Sequence, residues 1–232
     1  MNEENARQNV TFPSNGSHAH GYLKLPDSGR GPGLVVIQEW WGLTSHIASL
    51  VDRFAAEGFV ALAPDLYGGT TTHDADEAGQ LMQNLPVDRA ARDLAGAVDF
   101  LLSRDDVDGD RVGVVGFCMG GAFVLTLAAQ QGARVAAAVP FYPVGQWPED
   151  FSGLQADVMA HFGENDEFLP VATADELAAK IRTATGREPA IHRYPAGHAF
   201  LNDENRLGTY DPEQAKLAWE RTVGFLKEHL AG

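Results

Sequence analysis

A single cysteine, Cys118, stands in a chain of 232 residues, so no internal disulfide can form, as suits a reducing cytoplasm. Long apolar runs are also missing. None approaches the roughly 18–20 residues that span a bilayer. The polar N-terminus, Met1 to Gln8, lacks the basic-then-apolar pattern of a secretion signal. Positive charge is scarce: 17 lysines and arginines face 32 aspartates and glutamates, a formal net charge of −15. Such a surface repels phosphate backbones and anionic lipid, which argues against nucleic-acid and membrane partners. The Asn-x-Ser/Thr triplets at Asn9 and Asn15 read as coincidence in a chain without a signal. No repeat, low-complexity tract or linker breaks the sequence, so residues 1–232 are read as one domain of a cytoplasmic protein, a monomer or small homo-oligomer.

What is present is a series of short apolar runs alternating with amphipathic segments. Residues 9–25 alternate around Asn15-Gly16 and predict a hairpin. The runs 33–38 and 59–63, then 111–116, 135–141, 158–162 and 190–194, have the length and continuity of strands buried on both faces. Helices are predicted at 46–57 (capped by Ser45, ended by Gly58), from Pro86 to about Leu101, and over 120–130, 170–183 and 212–229. Five- and six-residue strands alternating with helices indicate an α/β fold with a mostly parallel sheet covered on both faces. Ligands in such a fold bind beyond the carboxyl ends of the strands, so reactive residues are sought just after strands.

Gly116-Phe117-Cys118-Met119-Gly120-Gly121 lies at a strand-to-helix junction and has the G-x-nucleophile-x-G form of a nucleophile elbow, with cysteine at its apex. The glycines leave room where a Cβ would strike the neighbouring strand and helix. The helix N-terminus favours a thiolate, and the Met119 N–H is set to bond an oxyanion. Further along, Gly163-Glu164-Asn165-Asp166-Glu167 and Pro195-Ala196-Gly197-His198 each follow a predicted strand. His198 is assigned as general base and then acid, with Asp166 orienting it. Glu164 and Glu167 compete for the orienting role, but the shorter side chain is easier to fix in a tight turn. The other histidines read as structural. His161 is a core residue bonded to backbone, His18 and His20 share one face of an edge strand, and His73 sits in a solvated acidic loop. No third ligand accompanies His18 and His20, so no metal site is predicted.

After the first central strand comes Glu39-Trp40-Trp41-Gly42, in the loop that supplies the second oxyanion N–H of this architecture. An ionised Glu39 beside Cys118 would oppose thiolate formation, or could itself accept the thiol proton. Trp40 and Trp41 divide between core and site wall.

With Gln38-Glu39-Trp40-Trp41-Gly42-Leu43, Ala63-Pro64-Asp65-Leu66-Tyr67, Gly116-Phe117-Cys118-Met119-Gly120-Gly121, Gly163-Glu164-Asn165-Asp166 and Ala196-Gly197-His198-Ala199-Phe200 in view, the chain resembles the dienelactone hydrolase (carboxymethylenebutenolidase) family of α/β-hydrolases from about Gly21 to Leu226. The resemblance implies an α/β-hydrolase fold without a large cap and a triad of Cys118, His198 and Asp166. It further implies Glu39 as the carboxylate that activates the thiol and the N–H groups of Trp40 and Met119 as oxyanion donors. A pocket would be lined by Trp41, Tyr142, Phe200 and Asn202, and Asp65 and Tyr67 are read as mainly structural. One departure stands out. The family's arginine four residues after the histidine is Asn202 here, and Thr70–Gln80 contains no arginine; Arg206 could substitute only if its loop folds back.

The expected activity is therefore cysteine-dependent hydrolysis of small activated esters or lactones through an acyl-enzyme, with no metal or organic cofactor. A broader carboxylesterase or thioesterase with the same triad is the nearest alternative. A non-catalytic ligand-binding or thiol redox-sensing protein is the alternative of a different class.

Overall fold

The structure is a computed structural model that describes residues 7–231. Strand β1 (Val10–Ser14) and β2 (Ser17–Lys24) form the N-terminal hairpin. At its tip Asn15 and Gly16 both take positive φ, 42° and 84°, as a two-residue turn between twisted strands requires. The central strands are β3 (Gly31–Ile37), β4 (Val60–Pro64), β5 (Val107–Phe117), β6 (Val135–Phe141), β7 (Asp157–Gly163) and β8 (Ala190–Tyr194). They assemble in the order β1-β2-β4-β3-β5-β6-β7-β8. Only β2 runs against the others; β3 to β8 are parallel to one another.

The two-residue period of each strand distributes its side chains between two cores. Val35 and Ile37 join one, under helices α3 (Val87–Leu102), α4 (Met119–Gln131) and α5 (Thr173–Thr185). Leu34 and Val36 join the other, under α1 (Ser45–Ala56) and α6 (Pro212–Leu230). Burial on both faces explains why these strands read as unbroken apolar runs. Side chains such as Leu34, Ile37 and Phe54 have no exposed surface, and each contributes roughly 1.5–3 kcal/mol through burial. This layering is that of an α/β-hydrolase, with no large cap inserted among the described residues.

Several local expectations are corrected. The residue before α1 is Thr44, not Ser45, whose hydroxyl donates to Glu204 Oε1 at 2.9 Å across the fold. Strand β5 begins at Val107, earlier than expected, because its polar start Asp108–Arg111 pairs beyond the edge of the core and has no apolar signature. β2 is not an edge strand: β1 covers it, and His20 Nδ1 pairs with Thr11 Oγ1 at 2.9 Å. His161 is buried, but its partners are side chains, Tyr194 Oη at 2.7 Å and Thr222 Oγ1 at 3.0 Å. The acidic segment around His73 holds a helix, α2 (Ala75–Asn84), capped by Asp74, whose Oδ1 accepts from the N–H groups of Asp76 and Glu77. Among the described residues no helix is long and apolar enough to cross a membrane.

Candidate active site

Five segments that follow the carboxyl ends of parallel strands converge. Glu39 follows β3, Cys118 follows β5, Tyr142 follows β6, Asp166 follows β7 and His198 follows β8. Their backbones are pinned to one another. The Cys118 N–H donates to Phe141 O, Tyr142 N–H to His161 O, Glu164 N–H to Tyr194 O and Asn165 N–H to Ala196 O, at 2.7–3.1 Å.

Cys118 sits at φ 54° and ψ −120°, a conformation that costs on the order of 1–3 kcal/mol for a residue with a side chain. The turn is that sharp because β5 passes straight into α4. A Cβ on Gly116 would lie 2.5 Å from Gly120 O, and one on Gly120 would lie 2.5 Å from Ile37 O. Both positions therefore demand glycine, as the elbow pattern anticipated. The Met119 N–H opens α4, where a helix's first N–H groups lack the carbonyl four residues back, whereas the Gly121 N–H already donates to Cys118 O at 2.9 Å.

Of the three carboxylates in the loop after β7, Asp166 meets the imidazole: His198 Nδ1 lies 2.7 Å from Oδ2. Its other oxygen accepts from the N–H groups of Phe168 at 2.8 Å and Leu169 at 3.1 Å, so the loop clamps it. Glu164 and Glu167 are exposed. His198 Nε2 is buried without a hydrogen bond of ordinary geometry among the described residues. Burial disfavours the imidazolium, yet the pKa of His198 is pushed up to about 10, because the Asp166 hydrogen bond and the nearby Cys118 sulfur outweigh it.

Glu39 is buried, and Asn202 Nδ2 donates to its Oε2 at 2.6 Å; Oε1 has no hydrogen-bond partner among the described residues. Desolvation raises its pKa, opposed by the charge of His46, the Asn202 bond and the charge of His198. The bonded partner of Glu39 is thus Asn202 rather than the thiol. Asn202 was expected to line the pocket; its amide is instead committed to Glu39. Tyr142, at φ 34°, packs edge-on to the His198 ring at 5.0 Å, and its buried hydroxyl feels the charges of Glu39, Cys118 and Asp166.

Phe200 is corrected from pocket wall to core. It has no exposed surface and packs between Tyr142 and Tyr194, because the loop turns at Ala199 (φ 56°). Trp41 is buried beside a small cavity shared with Asn202 and Arg206, whereas Trp40 is only partly covered and packs edge-on to Trp41 at 4.9 Å. The Arg206 loop does fold back, but its guanidinium bonds Glu204 Oε2 at 2.7 Å and approaches His73 Nε2 at 3.1 Å.

Three neighbours do not read as site residues in the sequence, and Tyr67 among them reads as mainly structural. Phe168 is half exposed and lies 4.7 Å from the His198 ring. Tyr67 donates to Met119 Sδ at 3.6 Å, and its pKa is raised by burial and by Cys118, so it borders the elbow as well as shaping the turn after β4. His46 is buried at the start of α1. A single aromatic residue two positions after a candidate acid was the one cue for Phe168; nothing local distinguishes His46. Beside Met119 opens a cavity of about 160 Å³, lined by Met82, Leu85, Ala122, Phe123 and Val144 among others. Among the described residues no group of three or more His, Cys, Asp or Glu side chains is disposed to hold a metal.

The family model described as the dienelactone hydrolase family matches residues 19–230. The chain is 38% identical to Protein usf of Aquifex pyrophilus, over 96% of this chain and 99% of that one. It is 32% identical to the carboxymethylenebutenolidase of Pseudomonas sp. strain P51, over 91% of each. A solved structure of a dienelactone hydrolase-like promiscuous phosphotriesterase from metagenomic libraries superimposes with a TM-score of 0.84 at 27% identity, over 96% of this chain and 97% of that one.

Proposed function

The chain belongs to the dienelactone hydrolase family and is a hydrolase acting on esters or lactones, and we propose that it works by nucleophilic catalysis from Cys118, with His198 and Asp166 completing a triad. The observation that carries this reading is the Asp166–His198 hydrogen bond, with Nε2 left unpaired beside a cysteine on a strained strand-to-helix turn.

His198 takes the thiol proton, and the resulting imidazolium is favoured by Asp166 and by the thiolate itself. The sulfur attacks the substrate carbonyl; a C–S bond forms as the carbonyl π pair moves to oxygen. The N–H groups of Met119 and Trp40 bond that oxyanion. Collapse breaks the C–O bond, and the leaving oxygen takes the proton from His198 Nε2. Water then gives a proton to His198 and attacks the thioester, and the second collapse returns the thiolate. Glu39 serves as a second carboxylate at the thiol: its charge favours the protonated His198, and its free Oε1 is a further acceptor for the thiol proton.

The substrate is a small, uncharged ester or lactone with a good leaving group. In support, the cavity beside Met119 has a mostly apolar lining, with no lysine or arginine among the described residues that line it. The two positions considered for an anion clamp are otherwise engaged: Asn202 holds Glu39 and Arg206 is paired with Glu204.

The test is a panel of neutral and carboxylate-bearing lactones, aryl esters and thioesters run on wild type, Cys118→Ala and His198→Ala. Neutral substrates should show the higher kcat/KM, and both variants should lose turnover. Undiminished hydrolysis by Cys118→Ala would refute the nucleophilic scheme; preference for the anionic substrates would refute the specificity.

A further inference from the structure

Helix α4 is apolar almost throughout, a composition that ordinarily belongs to a helix covered on every side. Its residues Val124, Leu125 and Ala128 are buried, but Phe123 and Thr126 are only half-buried. Met119, Ala122, Phe123 and Thr126 recur at i, i+3, i+4 and i+7, so they form one stripe, about 10 Å long at the rise of an α-helix. That stripe lines the cavity of about 160 Å³, together with Met82 and Leu85 from the end of α2 and Val144 from the loop after β6. No charged side chain is among the described residues that line it, and the Thr126 hydroxyl is spent on Ala122 O at 3.3 Å.

Two of these residues tie the cavity to the nucleophile. Met119 is the next residue after Cys118, and its sulfur is held by the Tyr67 hydroxyl at 3.6 Å. The Val144 N–H donates to Cys118 O at 3.1 Å. The reaction divides the substrate between two sides of this centre. The leaving oxygen takes its proton from His198, so the alcohol portion belongs on the imidazole side. There Phe168 stands 4.7 Å from the His198 ring, and Trp40 stands 6.3 Å from Phe168. None of these three lines the cavity. The portion that remains on sulfur is left with the α4 side.

We propose that the cavity along α4 is an acyl pocket, and that the favoured substrates are esters whose acyl group is an uncharged chain or ring of about six carbons. This names the substrate class of the site already proposed and rests on Cys118 as its nucleophile. The size follows from the volume: an apolar cavity of about 150 Å³ admits a benzene-sized molecule. The preference follows from burial, since each methylene removed from water favours binding roughly fourfold.

The experiment has two arms. In the first, aryl esters with one leaving group carry acetyl, butyryl, hexanoyl or decanoyl chains. kcat/KM should rise roughly two- to fourfold per methylene up to hexanoyl and gain nothing further at decanoyl. Ala122→Phe, which fills the cavity, should cut the hexanoyl-to-acetyl ratio by about tenfold or more. The second arm needs no turnover. Methionine methyl resonances of Cys118→Ala are titrated with 2-heptanone, a hexanoyl analogue without a leaving group, and with acetone. The Met82 and Met119 methyls should shift saturably with 2-heptanone and not with acetone, while Met159, in β7 and away from the cavity, stays in place. Undiminished hydrolysis by Cys118→Ala would remove the nucleophile and the acyl assignment with it. A flat chain-length profile in an enzyme that does need Cys118, or a Met82 methyl unmoved by 2-heptanone, overturns the pocket alone. If Ala122→Phe does not fold, Met82→Ala, at a half-buried position, should move the optimum to longer chains; an unchanged optimum there overturns the proposal equally.

Discussion

Replacing Asp166 by Asn tests the proposed triad at its most constrained point. The asparagine Oδ1 can still accept from the N–H groups of Phe168 and Leu169, so the loop keeps its clamp. Its amide nitrogen would face His198 Nδ1, now 2.7 Å from a carboxylate oxygen. Two donors cannot share that distance, so Nδ1 must become the acceptor and the proton moves to Nε2. The imidazole then presents a hydrogen where it must accept one. In the serine-protease template this tautomer error lowers kcat by about 10⁴, equivalent to about 5.5 kcal/mol of barrier.

The same substitution changes how stability depends on pH. The rise from the ordinary imidazole value of 6.5 to about 10 favours the protonated ring in the fold. Because the folded pKa is raised, that stabilisation is fully present below about pH 6.5 and disappears as pH rises through about 10. Urea unfolding of the wild type should therefore lose stability relative to His198→Gln as pH rises toward 10. Asp166→Asn should show a shallower slope than wild type. Steady-state hydrolysis of an aryl ester and these unfolding curves are the assays. Activity within tenfold of wild type in Asp166→Asn, or equal slopes in wild type and His198→Gln, would refute the argument.

Other outcomes follow from the same geometry. Gly120→Ala pushes a methyl against the carbonyls of Ile37 and Gln38, and should lower unfolding free energy by roughly 1–3 kcal/mol or more, read as a fall in the urea midpoint. Phe168→Ala removes the half-exposed ring over His198; KM for aryl esters should rise a few-fold while the acid limb of the pH profile stays in place. Burial depresses the His161 pKa well below 6.5, so the unfolded chain takes up that proton first and stability is lost as pH falls through about 6.5. His161→Gln should flatten this acid loss in calorimetry, even if it lowers stability at pH 8.

Much of this site was legible because its key residues occupy positions that backbone geometry dictates. The glycines around Cys118 mark a turn that admits no side chain at either flank, and the short side chain of Asp166 suits a clamp made by two successive N–H groups. The central strands were legible because burial on both faces leaves continuous apolar runs. Helix α2 was not: Ala78 is its one buried residue, its apolar stripe of Ala78, Leu81 and Met82 is short, and Asp74 looked like one more loop acid. Phe200 misled because proximity to His198 in sequence says nothing of direction once Ala199 reverses the chain. His46 was invisible for a different reason: its partner Asp203 lies 157 residues away, and no spacing rule joins them.

The stitching between successive strand ends bears on how such a protein can diversify. Cysteine, acid and imidazole are held by main-chain bonds that simply continue the ladder past its last regular residue. Met82 and Leu85, which border the cavity beside Met119, belong to a helix and a turn outside that ladder. Exchanging residues 70–86 between relatives should therefore retune which molecules are accepted while leaving the reaction itself untouched, a separation of inheritance between frame and doorway.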